Sequence, residues 1–272
     1  MFKDVTIGQY IPGNSPIHKI HPPLKIIFVI LYIVVLFMIS KWTSYAVFTL
    51  FTAALVLVSG IKVRIILKGL KPMLWIIIFT ALINIFMTPG EVVWTIPIWR
   101  FSVNLTREGL IMGAVMTIRL VYLVVGTSLL TLTTSPLQLT DGIEKLLSPL
   151  RVIKVPAHEI AMMMTIAIRF IPTLAEETDK IIKAQTARGA DFESGNLIKR
   201  AKAMVPILVP LFISAFRRAD ELATAMEARC YRGGKGRTRM KETRLGKIDA
   251  CAAIVFLLSA AAVLTAEYMI LF

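Results

Sequence analysis

Residues 108–133 read EGLIMGAVMTIRLVYLVVGTSLLTLT, a run in which Arg119 is the one charged residue after the opening Glu108. A helix needs about 20 apolar residues to cross roughly 30 Å of hydrocarbon, so this stretch predicts a membrane span. The composition of the whole chain agrees, with 56% hydrophobic and 18% charged residues among 272 and a mean hydropathy of +0.72. We therefore expect an all-α, polytopic membrane protein of about five transmembrane helices, the other four at residues 24–40, 43–60, 72–88 and 248–271.

The distribution of basic residues predicts the orientation in the membrane. The chain has 31 Lys+Arg against 17 Asp+Glu, a net charge of +14, and twenty of the basic residues lie within 134–247. The connections on the opposite side carry only Lys41, Arg100 and Arg107. The positive-inside rule then predicts a multi-pass protein of the cell membrane with a cytoplasmic N-terminus and an extracellular C-terminus. Because topology accounts for the positive charge, the bilayer is the expected partner and nucleic acid is not.

The spans divide the chain into four parts. These are a cytoplasmic N-terminal lead at 1–23, transmembrane helices 1–4 at 24–133, a cytoplasmic coupling domain at 134–247 and transmembrane helix 5 at 248–272. The outer connection at about 89–107 alternates apolar residues and contains Trp94 and Trp99, which predicts a small hairpin at the membrane interface.

The segment 134–247 is much longer than a connection requires, so we expect it to carry the function. Its periodicity predicts helices at about 137–148, 156–188 and 204–229. Pro172 predicts a kink in the second helix. Gly189 fits the left-handed position just past the end of that helix.

The two longer helices end alike. Ala184–Gly189 reads AQTARG and Ala225–Cys230 reads AMEARC, a shared Ala-x-x-Ala-Arg pattern offset by 41 residues. Taken singly, each is typical of an ordinary helix end with an arginine that complements the helix dipole. Together they indicate two equivalent contact points, since small alanines allow close approach and an exposed arginine can bind a carboxylate through two hydrogen bonds.

Signatures of catalysis are missing from the sequence. His158-Glu159 is followed by Met162 where a zinc motif needs a second histidine, and Gly233–Gly236 does not fit the phosphate-binding loop GxxxxGK[ST]. We therefore expect no metal, no cofactor and no enzymatic activity in this chain. An integral membrane enzyme is a competing interpretation, with His158 as its best candidate residue.

A stand-alone secondary transporter is the main alternative. It would need polar groups at mid-membrane, and the candidates are few: Asn84, Arg119, Thr127 and Ser128. Arg119 could bind an anion, but pairing with a buried carbonyl or extension toward the interface is the favoured interpretation.

Five segments give the chain a family resemblance. They are YIPGNSPIHKIHPPLK at 10–25, LTDGIEKLLSPL at 139–150, IRFIPTL at 168–174, AQTARGAD at 184–191 and RRADELATAMEAR at 217–229. As a set, these segments resemble the transmembrane (T) component of energy-coupling factor transporters, which are ABC-type importers of vitamins and metal ions.

The resemblance implies partners and contact residues. It implies a scaffold that joins two cytoplasmic ABC ATPase subunits, which bind the ATP, to one membrane substrate-binding (S) subunit. The implied ATPase-docking residues are Ala187, Arg188, Gly189, Ala228, Arg229 and Cys230. Cys230 stands where the family pattern has glycine, and because cysteine tolerates a left-handed backbone poorly we expect Gly233 and Gly234 to supply the turn slightly later.

The resemblance also implies that the apolar halves of the two long helices face the S subunit. The residues expected there are Met162, Met163, Met164, Leu208, Leu211 and Phe212. Methionine-rich surfaces adapt to different partners, although core packing explains these methionines equally well.

Overall fold

The computed structural model describes residues 10–98, 101–192, 196–233 and 245–269. The chain forms two compact units. The first, called the membrane unit here, comprises Tyr10–Gly142 and Thr243–Phe272. The second, called the arm unit, contains Ile143–Glu242.

The membrane unit is built almost entirely of helices. Its elements in chain order are α1 (Pro16–Lys19), α2 (Pro22–Met38), α3 (Trp42–Ser59), α4 (Val63–Leu70), a 3-10 turn (Lys71–Met73), α5 (Leu74–Met87), β1 (Val92–Ile98), β2 (Phe101–Thr106), α6 (Arg107–Thr133), the start of α7 (Pro136–Leu147) and α10 (Lys247–Tyr268). The protein is thus the all-α, polytopic membrane protein that the sequence predicts.

Four helical stretches are long and apolar enough to span a bilayer: Trp42–Ser59, Val63–Met87, Arg107–Thr133 and Lys247–Tyr268. The remaining predicted span corresponds to α2, which has 17 residues and is therefore about 26 Å long. The basic connection before the third span is itself helical. It forms α4, whose Ile66 and Leu70 are buried while its Arg64 and Lys68 are exposed.

The predicted hairpin is present. β1 and β2 pair antiparallel, with Ile98 opposite Phe101 and Val92 opposite Thr106. Trp94 is exposed, and Trp99 lies outside the described residues. Thr106 then caps α6, since its hydroxyl accepts the amide hydrogen of Gly109 at 3.1 Å.

An aromatic cluster forms the centre of the membrane unit. Tyr32 of α2 is 3% exposed and packs against Phe48 of α3 with 4.7 Å between ring centroids. Its hydroxyl shares a hydrogen bond with Thr52 at 3.1 Å and donates to the carbonyl of Tyr122. Gly126 of α6 gives the ring room, because a Cβ there would lie 2.5 Å from Tyr32 Cε1. The cluster therefore ties α2, α3 and α6 together.

Polar groups join the N-terminal lead to the ends of the helices. The buried Lys25 ammonium donates to the carbonyls of His18 and Thr133 and to the hydroxyl of Thr134, at 3.0 to 3.3 Å. The amide of His21 donates to Asp249 Oδ1 at 2.7 Å. The start of α2 is thereby fixed against the end of α6 and the start of α10.

The arm unit consists of the end of α7, a 3-10 helix (Ser148–Ile153), α8 (Ala157–Ala187) and α9 (Leu197–Ala228). The first two predicted helices agree with the structure to within a residue or two. The third prediction was wrong at its start, because α9 begins at Leu197 rather than near 204. The alanines and lysines of residues 197–203 favour helix even though apolar periodicity is weak there. Pro172, Pro206 and Pro210 all lie inside continuous helices.

Candidate functional site

A side-chain contact with α7 fixes the start of α8. His158 Nδ1 lies 3.0 Å from Glu144 Oε1 of α7. The small residues Ala157 and Ala161, 2% and 5% exposed, let this end of α8 pack closely. Lys154 adopts a left-handed backbone with φ of 64°, which turns the chain into α8. His158 thus links α7 and α8 through Nδ1, while its Nε2 is buried without a partner among the described residues. The described residues contain no cluster that could hold a metal ion.

The helices α8 and α9 pair through facing stripes of partly buried residues. Glu177 of α8 accepts hydrogen bonds from Ser214 Oγ at 2.7 Å and from Arg218 Nη2 at 2.6 Å. Nearer the end of α8, Gln185 contacts Pro206. Because residue numbers rise along one helix as they fall along the other, the two helices run antiparallel.

A proline creates one of these contacts. Pro210 has no amide hydrogen, so the carbonyl of Pro206, four residues earlier, loses its helical partner. Gln185 Nε2 donates to that carbonyl oxygen at 3.3 Å. The side chain of one long helix therefore satisfies a backbone group that proline frees in the other.

Glu177 has an altered proton affinity. Hydrogen bonds from Ser214 and Arg218, together with the positive charge of Arg218, hold the pKa of the Glu177 carboxyl below its ordinary value. The carboxylate therefore stays ionised at neutral pH and keeps both acceptor oxygens available to α9.

The end of α8 forms a Schellman motif. Gly189 has φ of 85°, and its amide donates to the carbonyl of Thr186 at 2.9 Å. The amide of Ala190 donates to the carbonyl of Gln185 at 3.0 Å. This pair of bonds defines the motif, with Arg188 at the capping position. The predicted left-handed conformation of Gly189 is confirmed.

The end of α9 repeats the same geometry. Cys230 has φ of 55°, and its amide donates to the carbonyl of Glu227 at 2.8 Å. The amide of Tyr231 donates to the carbonyl of Met226 at 3.0 Å, and Arg229 is the capping residue. Cys230 itself takes the left-handed backbone at the helix end, so the capping turn does not wait for Gly233, although Gly233 is also left-handed with φ of 84°. Gly234 lies outside the described residues. Two backbone hydrogen bonds offset the strain of a side chain at this position.

All six predicted docking residues are exposed: Ala187, Arg188, Gly189, Ala228, Arg229 and Cys230. Within the described ranges, neither arginine takes part in an ion pair. Arg188 lies 11 residues, about 16 Å, beyond Glu177, and Arg229 lies 15 residues, about 22 Å, beyond Ser214. Because α8 and α9 are antiparallel, the two tips extend in opposite directions from the Glu177 contact.

The second predicted surface is only partly exposed. Met163, Leu208 and Phe212 are 58%, 43% and 60% exposed, whereas Met162, Met164 and Leu211 are half-buried. The exposed residues of α9 continue beyond the predicted set and form what we call the α9 apolar stripe: Val205, Leu208, Val209, Phe212, Ile213 and Phe216. Ile207, Leu211, Ser214 and Arg218 occupy the opposite face, toward α8.

Three of the four polar residues that a stand-alone carrier would need, Arg119, Asn84 and Thr127, donate hydrogen bonds to backbone carbonyls. Arg119 Nη2 donates to the carbonyl of Ile39 at 2.9 Å, which confirms the interpretation that it pairs with a buried carbonyl. Asn84 and Thr127 donate to carbonyls of their own helices at 2.8 Å. These three hydrogen bonds stabilise the membrane unit, while Arg119 Nε is buried without a partner among the described residues.

The sequence of the chain matches known transport proteins over nearly its whole length. Residues 13–240 match the family model described as CbiQ, cobalt transport protein. An energy-coupling factor transporter transmembrane protein EcfT from Clostridium kluyveri is 61% identical over 256 residues, 93% of each chain. EcfT proteins from Ruminiclostridium cellulolyticum and Bacillus subtilis are 56% and 48% identical, covering 99% of each chain in the first case and 89% and 90% in the second. The chain therefore belongs to the CbiQ/EcfT family of transporter transmembrane proteins.

Proposed function

We propose that this chain is the coupling subunit of an energy-coupling factor importer for a micronutrient, a vitamin or metal ion. In this proposal it transmits ATP-driven closure of two cytoplasmic ABC ATPase subunits to one membrane S subunit, which selects the substrate. The ATPases bind the ATP, and this chain needs no cofactor of its own. The proposal places the arm unit and the N-terminus in the cytoplasm and the C-terminus outside.

The observation that carries the proposal is the repeated geometry of the two helix ends. Arg188 and Arg229 each cap a long helix, each precedes a left-handed residue, and each is exposed. An isolated helix end requires no such match in sequence and hydrogen bonding. Two copies of one contact, directed oppositely, suit two similar grooves on paired ATPases.

Mechanical coupling follows from the α8–α9 contact. When ATP closes the ATPases, their grooves approach each other and carry the two tips with them. The Glu177 bonds to Ser214 and Arg218 hold the helices together near their crossing, so displacement of the tips changes the relative orientation of α8 and α9. The α9 apolar stripe and Met163 then move against the S subunit. Their side chains are apolar and exposed, as expected for a surface that contacts a membrane protein.

Docking is tested by charge reversal at both tips. Arg188→Glu with Arg229→Glu is expected to remove the ATPases from a detergent pull-down, since loss of a desolvated charged contact costs about 2–5 kcal/mol, or roughly 30-fold or more in Kd. Arg169→Glu with Arg217→Glu is the matched control, because both residues are exposed on the same helices and away from the tips. Full recovery of ATPases with the tip variant would contradict the docking assignment.

The alternative, a stand-alone secondary transporter, is separated by a transport assay. Proteoliposomes that contain this chain and the S subunit are expected to take up substrate only when the ATPases and ATP are present. Uptake by the isolated chain would overturn the proposal.

A further inference from the structure

The membrane unit contains an apolar cavity of about 450 Å³ that the proposed function does not use. Its walls come from α1, α2, α3, α6 and α10, with Ile17, Phe28, Leu55, Leu130 and Val255 among the lining residues. An apolar cavity without several polar partners does not hold ordered water. Hydrocarbon is therefore the natural filling at this depth in a bilayer.

The position of the cavity matches one leaflet. Along α2 the lining runs from Lys25 to Tyr32, and along α10 from Ile248 to Phe256. Seven or eight helical residues correspond to about 10–12 Å, compared with about 15 Å for half of the hydrocarbon core. Tyr32 and Gly126 close the inner end by direct contact. The cavity thus extends from one membrane face to nearly the midplane.

The length of the cavity suits an acyl chain. Its lining follows the helix axes for about 11 Å, so an acyl chain of the adjacent leaflet fits lengthwise.

The mouth of the cavity carries positive charge. Lys19 of α1 and Lys247, the first residue of α10, are both exposed, and each adjoins a lining residue, Ile20 or Ile248. Asp249 is the nearby acid, but it is 6% exposed and accepts the amide hydrogens of His21 and Gly246. The charge at the mouth therefore favours a phosphate.

We propose that this cavity binds one acyl chain of an anionic phospholipid, with the headgroup at Lys19 and Lys247. By the positive-inside orientation, the lipid belongs to the cytoplasmic leaflet. The bound chain fills the space between α2, α3, α6 and α10 and gives the surrounding side chains the contacts that an empty cavity would lack.

A photoreactive lipid tests the proposal on the full-length chain. The protein is reconstituted in phosphatidylcholine vesicles with a small fraction of phosphatidylglycerol that carries a diazirine midway along one acyl chain. After illumination, labelled residues are mapped by peptide mass spectrometry. Labelling is expected to concentrate on the cavity wall. Even labelling of all lipid-facing helices would overturn the proposal.

Two neighbouring alanines provide a matched pair of variants. Ala54 lines the cavity, whereas Ala53, also exposed on α3, does not. Ala54→Phe is expected to lower labelling of the wall at least fivefold, and Ala53→Phe to leave it unchanged. Ala252→Leu fills the cavity from α10 and replaces Ala54→Phe if that variant is not monodisperse. Equal labelling in cavity-filling and control variants would refute acyl-chain binding.

The headgroup is tested separately. Lys19→Glu with Lys247→Glu is expected to lower labelling from the phosphatidylglycerol probe several-fold and to leave labelling from the same chain on phosphatidylcholine unchanged. An unchanged ratio between the two probes would refute anionic selectivity. Loss of wall labelling when the S subunit is co-reconstituted would show that a protein occupies the cavity and would overturn the assignment.

Discussion

Cys230→Gly is expected to stabilise the end of α9. Cys230 holds φ of 55°, a left-handed conformation that costs a residue with a side chain about 1–2 kcal/mol. Glycine removes that strain but gives the unfolded chain more freedom, which offsets about 0.4–1 kcal/mol. A net gain of about 1 kcal/mol remains. Gly189→Ala should show the reverse at the end of α8, and since a Cβ there meets nothing within 4 Å, its cost comes from the backbone alone.

Amide hydrogen exchange measures this effect locally. The amide of Tyr231 reports on the Schellman motif because it donates to the carbonyl of Met226. A gain of about 1 kcal/mol slows its exchange by roughly fivefold in Cys230→Gly. Cys230→Ala is the control, since it removes the thiol but keeps the strained backbone and should leave exchange unchanged. Equal protection in the glycine and alanine variants would refute the strain argument.

Three further perturbations test other contacts. Because the folded-state pKa of Glu177 is lowered, its stabilisation of the α8–α9 pair is present above about pH 4.5 and is lost as pH falls through the folded pKa. Glu177→Gln should abolish that acid dependence in melts recorded at decreasing pH. Gly126→Ala should lower the free energy of unfolding by about 1–3 kcal/mol, because the new Cβ would clash with Tyr32. Gly69→Ala should be tolerated, because its Cβ meets only the Ser128 hydroxyl at 3.4 Å. Thermal melting compares the two variants. Arg119→Gln should lower Tm, because it removes the charged hydrogen bond to Ile39, which contributes about 1.5–3 kcal/mol. ATP-dependent uptake by the assembled complex should remain intact. Loss of uptake at unchanged Tm would instead favour an anion site at Arg119.

Apolar run length and periodicity predicted most of the helices, because each depends on residues close together in the sequence. The same reasoning misplaced the start of α9, where residues 197–203 have weak apolar periodicity and helix propensity decides. It also treated the residues of α4 as a connection, although Ile66 and Leu70 give that segment a buried face. Short amphipathic helices give a weak signal in a sequence dominated by membrane spans.

Contacts between distant residues could not be predicted. Nothing in the local sequence around Glu177 indicates that Ser214 and Arg218 are its partners. Pro210 does offer a signal, since a proline within a helix always frees a carbonyl four residues earlier. The sequence does not indicate that Gln185 satisfies it. At Cys230 the reasoning about glycine preference was sound but incomplete, because the strength of the capping bonds depends on the whole turn.

The antiparallel pairing gives the two tips unequal leverage. Measured from the Glu177 contact, Arg188 is about 16 Å away and Arg229 about 22 Å away. A rotation of about 10° about that contact moves the tips by about 3 Å and 4 Å, from these helix lengths. Residues of the α9 apolar stripe nearest Ser214 move less than 1 Å, while Val205, nine residues or about 14 Å away, moves more than 2 Å. Under the proposed function, motion of the ATPases reaches the S subunit mainly through the Val205 end of the stripe. Bulky substitutions at Val205 should then impair coupling more than equal substitutions at Ile213.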